Sequence, residues 1–255
     1  MGRNVAIAAL TAALLAMGAA FWRFNLSASP LALAGLAFCA APVCAGEAMV
    51  TIAPRRARMR AAIRESSPLY PLLTGPWLGA LRALVLGAST MAVLGWLVLT
   101  AGPEMLGLCA LASFLAAFLC GGLITRGNRH FHPPYAMALA AGLATGVVGL
   151  AFLGAAFAVQ MNLTVFSGAI AGAPSLEAAA VEGIRAAPRA QGWLREVLAY
   201  AAALDAAALW LANRDELRGW GLTLLALQSA VFTFTLARAS AVAAALFHAL
   251  AGRRA

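Results

Sequence analysis

The sequence predicts an all-α, polytopic integral membrane protein, a single helical bundle of about seven (six to eight) transmembrane helices. Three observations carry that prediction. The 255 residues are 63% hydrophobic and 11% charged, whereas soluble domains run at about 45–50% apolar and about 25% charged. The apolar residues fall into runs long enough to cross about 30 Å of hydrocarbon. Charge collects between those runs, most densely in Pro54-Arg55-Arg56-Ala57-Arg58-Met59-Arg60-Ala61-Ala62-Ile63-Arg64-Glu65. Short basic loops beside spanning helices stay cytoplasmic, so this block orients the chain and puts its N-terminus inside.

Span 1 is expected over about residues 5–22. Its apolar run exceeds the roughly 7–15 residues of a signal-peptide core, which favours a retained helix. Span 2 is expected over about 31–52, starting after Pro30, ending before Pro54 and kinking at Pro42. Residues 54–67 read as a basic cytoplasmic loop. Within it Met59 and Ile63 are four apart, which suits a short amphipathic helix on anionic lipid headgroups.

Pro71, Gly75 and Pro76 make an irregular approach to span 3, about 78–101. The tight turn Gly102-Pro103-Glu104 leads to span 4, about 106–124. The next inner loop carries Arg126, Arg129, His130 and His132, and Pro133-Pro134 suits the first turn of span 5, about 135–159. Gly142 and Gly146 form a GxxxG pair with Gly149 one turn on, a face expected to pack tightly against another helix.

Residues 160–195 are the longest polar stretch, expected as an outer loop with a short amphipathic helix capped by Ser175 and ended by Pro188. Asn162-Leu163-Thr164 fits a glycosylation acceptor, but an alanine-rich chain without lysine suggests a G+C-rich bacterium, where that match means nothing. Span 6, about 197–212, is short and carries Asp205 at its centre. A central aspartate costs about 2.5–3.5 kcal/mol on insertion scales, but Trp193 and Trp210 flank the segment like interfacial anchors. The last segment, about 220–250, is too long for one crossing and must tilt, protrude or break near Arg238. With seven spans and Arg214 and Arg218 inside, the C-terminal Arg253 and Arg254 are expected outside.

Composition also excludes functions. All 18 basic residues are arginine, so a Schiff base, which needs a lysine amine, is ruled out, and retinal chemistry with it. Nucleic acid is a poor partner, because the arginines sit in short loops rather than on one face. Cys39, Cys44, Cys109 and Cys120 lie in apolar runs and read as packing residues. No cofactor is expected: paired axial histidines, hydrolase signatures and a phosphate-cradling loop are missing.

The candidate residues are therefore polar groups at membrane depth. Glu47 in span 2 and Arg82 in span 3 fall at similar depth, and their contact is expected because unpaired charge there is costly. Asp205 is placed at mid-bilayer with Gln228 as its first partner, while Arg238 is placed nearer the outer surface. Arg55, Arg56, Arg58, Arg60, Arg64, Arg126, Arg129, His130 and His132 form a candidate cytoplasmic docking surface, against the plainer reading of solvated loops. Three function classes remain. The first is the membrane component of a bacterial inner-membrane transport system. The second is a non-catalytic structural or assembly subunit packed against other protein subunits. The third is a lipid-modifying enzyme. A transporter should gather polar groups around an internal cavity; a scaffold should turn small-residue faces outward.

Overall fold

A computed structural model describes residues 2–25, 29–63, 66–67, 70–100, 103–165, 168–187 and 193–252. Of these, 29–32, 72–73, 97–100, 103, 161–165 and 193–194 are described by backbone alone. The expected roles of Arg64, Pro188, Arg253 and Arg254, and of the Trp193 and Asn162 side chains, lie outside what is described.

The described residues are helices joined by turns and bends, with no strand among them. Ten helices follow in order: α1 (Gly2–Phe24), α2 (Ser29–Ala62), α3 (Tyr70–Thr74), α4 (Trp77–Thr100), α5 (Pro103–Gly127), α6 (Pro133–Val165), α7 (Gly168–Ala171), α8 (Leu176–Ala186), α9 (Trp193–Ala212) and α10 (Arg218–Gly252). Over the described residues six of them, α1, α2, α4, α5, α6 and α10, are long and apolar enough to cross a membrane. The chain is a multi-pass helical bundle, and α9 is the expected span that is not among the six.

Helix α10 is the central element. It packs against α1, α2, α4, α5, α6 and α9. Its second half is a run of small residues, Ala237, Ala239, Ser240, Ala241, Ala243, Ala244 and Ala245, none of them accessible. Small side chains let six neighbours approach one helix closely. At Gly46 the approach of α2 is limiting, because a Cβ there would sit 2.2 Å from the Val242 carbonyl oxygen. The helix is unbroken at Arg238, and its 35 residues span about 52 Å. It therefore outruns the bilayer rather than breaking.

Its direction corrects the expected topology. Arg3 Nη2 donates to the His248 carbonyl at 3.1 Å, and the His248 ring lies against Gly121 near the end of α5. The last turns of α10 thus share one end of the bundle with the start of α1. Seven crossings would separate them; six bring them together. Trp220 accordingly begins α10 at the opposite end, and Arg214 and Arg218 go with it.

Two boundaries also differ from expectation. Helix α2 continues through Pro42 and Pro54 to Ala62, so Arg55, Arg56, Arg58 and Arg60 ride on its last turns instead of a separate loop helix. Its 34 residues outrun the bilayer at that end by the same arithmetic as α10. The approach to α4 contains the short helix α3, packed against α2. At the opposite end Ser175 caps α8, its Oγ accepting from the Ala178 amide at 3.1 Å. Trp210 Nε1 and Arg214 Nη2 both donate to the Ala173 carbonyl, tying the start of this unit to the end of α9.

Candidate functional site

The arginine-rich end of the bundle holds a buried ion cluster. Glu47 on α2 is 1% exposed. Its Oε2 accepts from Arg238 Nε at 2.8 Å and lies 2.7 Å from Arg238 Nη2. Its Oε1 lies 2.6 Å from Arg82 Nε, but off the N–H axis, so this contact is an ion pair without an aligned hydrogen bond. The two arginines differ in setting. Arg238 is 15% exposed and sits among the packed faces of α10, whereas Arg82 is 64% exposed at the edge of α4.

Local geometry explains the convergence. The α2–α10 backbone contact at Gly46 lies beside Glu47 and one turn from Arg238. Gly79 on α4 fits against Ile52, and Gly87 against Cys44, which sets Arg82 level with Glu47. Each helix presents one member of the triad, and Gly46, Gly79 and Gly87 set the close approaches beside it.

Arg238 is the member sequence reasoning missed and misplaced. It lies ten residues before His248, well toward the arginine-rich end, because α10 runs opposite to the expected direction. Its only sequence signal is that it is the sole charge between Arg218 and Arg253.

The second cluster lies toward the other end. Asp205 Oδ2 accepts from Trp96 Nε1 at 2.9 Å, and its Oδ1 accepts from Gln228 Nε2 at 2.5 Å. Next to Gln228, the Ser229 hydroxyl bonds to Gln160 Oε1 on α6. Trp96 and Gln160 stand in the last turns of their helices before the far end. Asp205 is therefore level with those ends, not at the mid-depth expected of it. Trp22 Nε1 donates to the Gly95 carbonyl at 3.0 Å in the same layer, so two indoles mark one level of the bundle.

The remaining candidates divide. Arg126 in the last turn of α5 and Arg129, His130 and His132 just beyond it are exposed, and on α2 the Arg56 Nε is buried without a partner. On α6, Gly149 meets the Phe234 ring, as a packing glycine does. Gly142 and Gly146 do not: a Cβ at either would meet nothing within 4 Å. The four cysteines are free and lie between helices. Among the described residues no three His, Cys, Asp or Glu side chains gather closely enough to hold a metal ion.

Two surface hollows accompany these features. One, of about 680 Å³, lies over α7 and α8 and is lined by residues such as Gly172, Ser175, Glu177 and Arg185. The other, of about 200 Å³, lies between α5 and α6 beside Arg126 and His130. Neither is lined by Glu47, Arg82, Asp205 or Gln228. The chain matches no family model, no curated protein and no solved structure.

Proposed function

We propose that this chain is a non-catalytic scaffold subunit of a multi-subunit complex in a bacterial inner membrane, with its N-terminus cytoplasmic. The observation that carries the reading is the outward glycine face of α6. Gly142, Gly146 and Gly154 all face open space, and Leu150 beside them is among the most exposed leucines. Membrane helices associate where small residues let backbones approach, so such a face suits a spanning helix of another subunit. The polar groups support the same reading, because among the described residues Glu47 with Arg82 and Arg238, and Asp205 with Gln228, contact one another and line neither hollow. The orientation rests on Arg3, Arg55, Arg56, Arg58, Arg60, Arg126 and Arg129 sharing one end.

A transport component is the second reading, favoured by one feature. Glu47 joins three helices at membrane depth, and intramembrane ion pairs commonly mark ion pathways.

The test is co-purification. Full-length chain extracted in mild detergent should bring down partner membrane subunits at fixed stoichiometry. A Gly142→Leu/Gly146→Leu variant should keep its own melting temperature and lose those partners. Retention of the same partners by the variant would overturn the scaffold assignment of this face. An isolated wild-type chain that moves solute in vesicles would favour transport.

A further inference from the structure

The hollow between the arginine-rich ends of α5 and α6 has a two-part chemistry. Its floor is Gly127 with Ala136 and Ala140, small residues that follow from close helix approach: a Cβ at Gly127 would sit 3.3 Å from Ala136 Cβ. Its walls are Leu123, Leu139 and Leu143, and both α6 leucines are 48% exposed. At its mouth stand Arg126 and His130, with Arg129 adjacent in the loop. No acidic residue lies between Glu104 and Glu177. Among the described residues, neither the Arg126 nor the His130 side chain has a partner. The helix end explains one cation, since arginine in a last turn complements the helix dipole. It does not explain an apolar groove opening directly beneath a pair of free donors.

Size narrows the occupant. About 200 Å³ falls below the roughly 300–1,000 Å³ of pockets that engulf small molecules. An open groove of that size fits a length of one hydrocarbon chain. Its donors are placed at the level where the headgroups of the arginine-rich leaflet lie.

We infer that this groove seats one acyl chain of an anionic phospholipid, whose phosphate is held by Arg126 and His130. Guanidinium binds phosphate through paired N–H groups, and an imidazole N–H adds a third donor in either protonation state. The chain supplies affinity along Leu123, Leu139 and Leu143; the headgroup supplies the preference for negative charge. The inference does not rest on the scaffold reading, and a partner helix seated on the α6 glycine face would cover Leu143 and compete with the acyl chain.

Native mass spectrometry of the delipidated full-length protein, titrated with equimolar phosphatidylglycerol and phosphatidylcholine, tests this. Phosphatidylglycerol should be retained first, by at least about five-fold, the weight of one arginine at a membrane surface. Arg126→Gln should lower that preference by about five-fold, and Arg126→Gln/His130→Gln should abolish it. Leu139→Ser/Leu143→Ser should weaken both lipids alike, by roughly three-fold or more. Millimolar inorganic phosphate should not compete, because it lacks the chain. Equal retention of the two lipids by the wild-type protein would overturn the inference without any variant. So would a preference that survives Arg126→Gln but falls with Arg58→Gln or Arg82→Gln, which would put the anionic lipid elsewhere. Displacement by phosphate would reduce the site to a simple anion contact.

Discussion

Among the described residues two carboxylates each sit between two partners from other helices, and they are held in opposite ways. Glu47 is inaccessible and its partners are charged guanidinium groups from α4 and α10. Asp205 is partly exposed and its donors are neutral, an indole N–H and a carboxamide. The first cluster joins three of the six spanning helices near the arginine-rich end. The second fastens α9, which is not one of the six, to α4 and α10. The difference teaches where polar groups carry the fold and where they only position an appendage. A fully buried ion must be paired or the helices cannot close around it. A partly exposed carboxylate near the end of its neighbours can turn to water or headgroups.

The largest effect should follow from breaking the buried cluster. Glu47→Gln leaves Arg238 enclosed without its counter-ion, and removal of one partner from a buried pair costs about 3–5 kcal/mol. Arg238→Gln should be comparably severe. The double variant Glu47→Gln/Arg238→Gln restores a neutral, hydrogen-bonding contact and should cost less than the sum by about 1–3 kcal/mol. Thermal unfolding in detergent measures all three. Additive losses would mean that the two side chains do not depend on each other.

How much of this was legible depends on what each contact requires. The Glu47–Arg82 contact needs only depth counting along two helices adjacent in sequence, one ending and one starting at the arginine-rich end. Arg238 needs the direction of α10, and that hinges on whether α9 crosses. The aromatic residues flanking α9 suggested that it does. The Asp205–Gln228 contact survives that error for a geometric reason. Asp205 with Gln228, and Ala212 with Gly221, are symmetric about the turn near Glu216, so an antiparallel α9–α10 pair brings them together on either side of a membrane. Trp96 could not be read, because no local pattern links α4 to α9. The glycines of α6 show why a motif is not a contact. Spacing identifies a face able to pack closely, while the choice between a neighbour in the same chain and one outside it is made by the whole bundle.

A smaller effect should follow at Arg82, which separates geometry from charge within the inner cluster. It is as close to Glu47 as Arg238 is, but it is exposed and poorly aligned. Arg82 stands five residues after the start of α4, where its long side chain can reach headgroups and water. Ion pairs exposed in that way contribute about 0–1 kcal/mol, because solvent screens them and the side chain must be held in place. Arg82→Gln should therefore lower stability by no more than about 1 kcal/mol, well below Arg238→Gln in the same assay. Equal losses for the two variants would show that proximity to Glu47 alone matters, and would erase the distinction drawn between them.

The smallest effect is expected for Asp205→Asn, and its size decides what the second cluster is for. Asparagine matches aspartate in shape and keeps one carbonyl oxygen able to accept from Trp96 or Gln228, though not both in the same way. Its NH₂ group can donate to the Gln228 side-chain oxygen if that amide turns over. One interhelical hydrogen bond in a membrane protein is worth about 0.6 kcal/mol on average, because the unfolded chain in the bilayer also finds partners. Asp205→Asn should then cost about that much, and Asp205→Ala roughly twice that, since both bonds are lost. The backbone anchors between α8 and α9 stay in place in either variant: Gly183 packs on Ala202 and Ala206, and Trp210 and Arg214 remain bonded to Ala173. Cysteine accessibility at Tyr200 and Leu204 should therefore be unchanged. A loss in Asp205→Asn as large as that in Glu47→Gln would mean that the negative charge itself organises this end. The two clusters would then be equivalent, and α9 would be part of the core rather than an attachment to it.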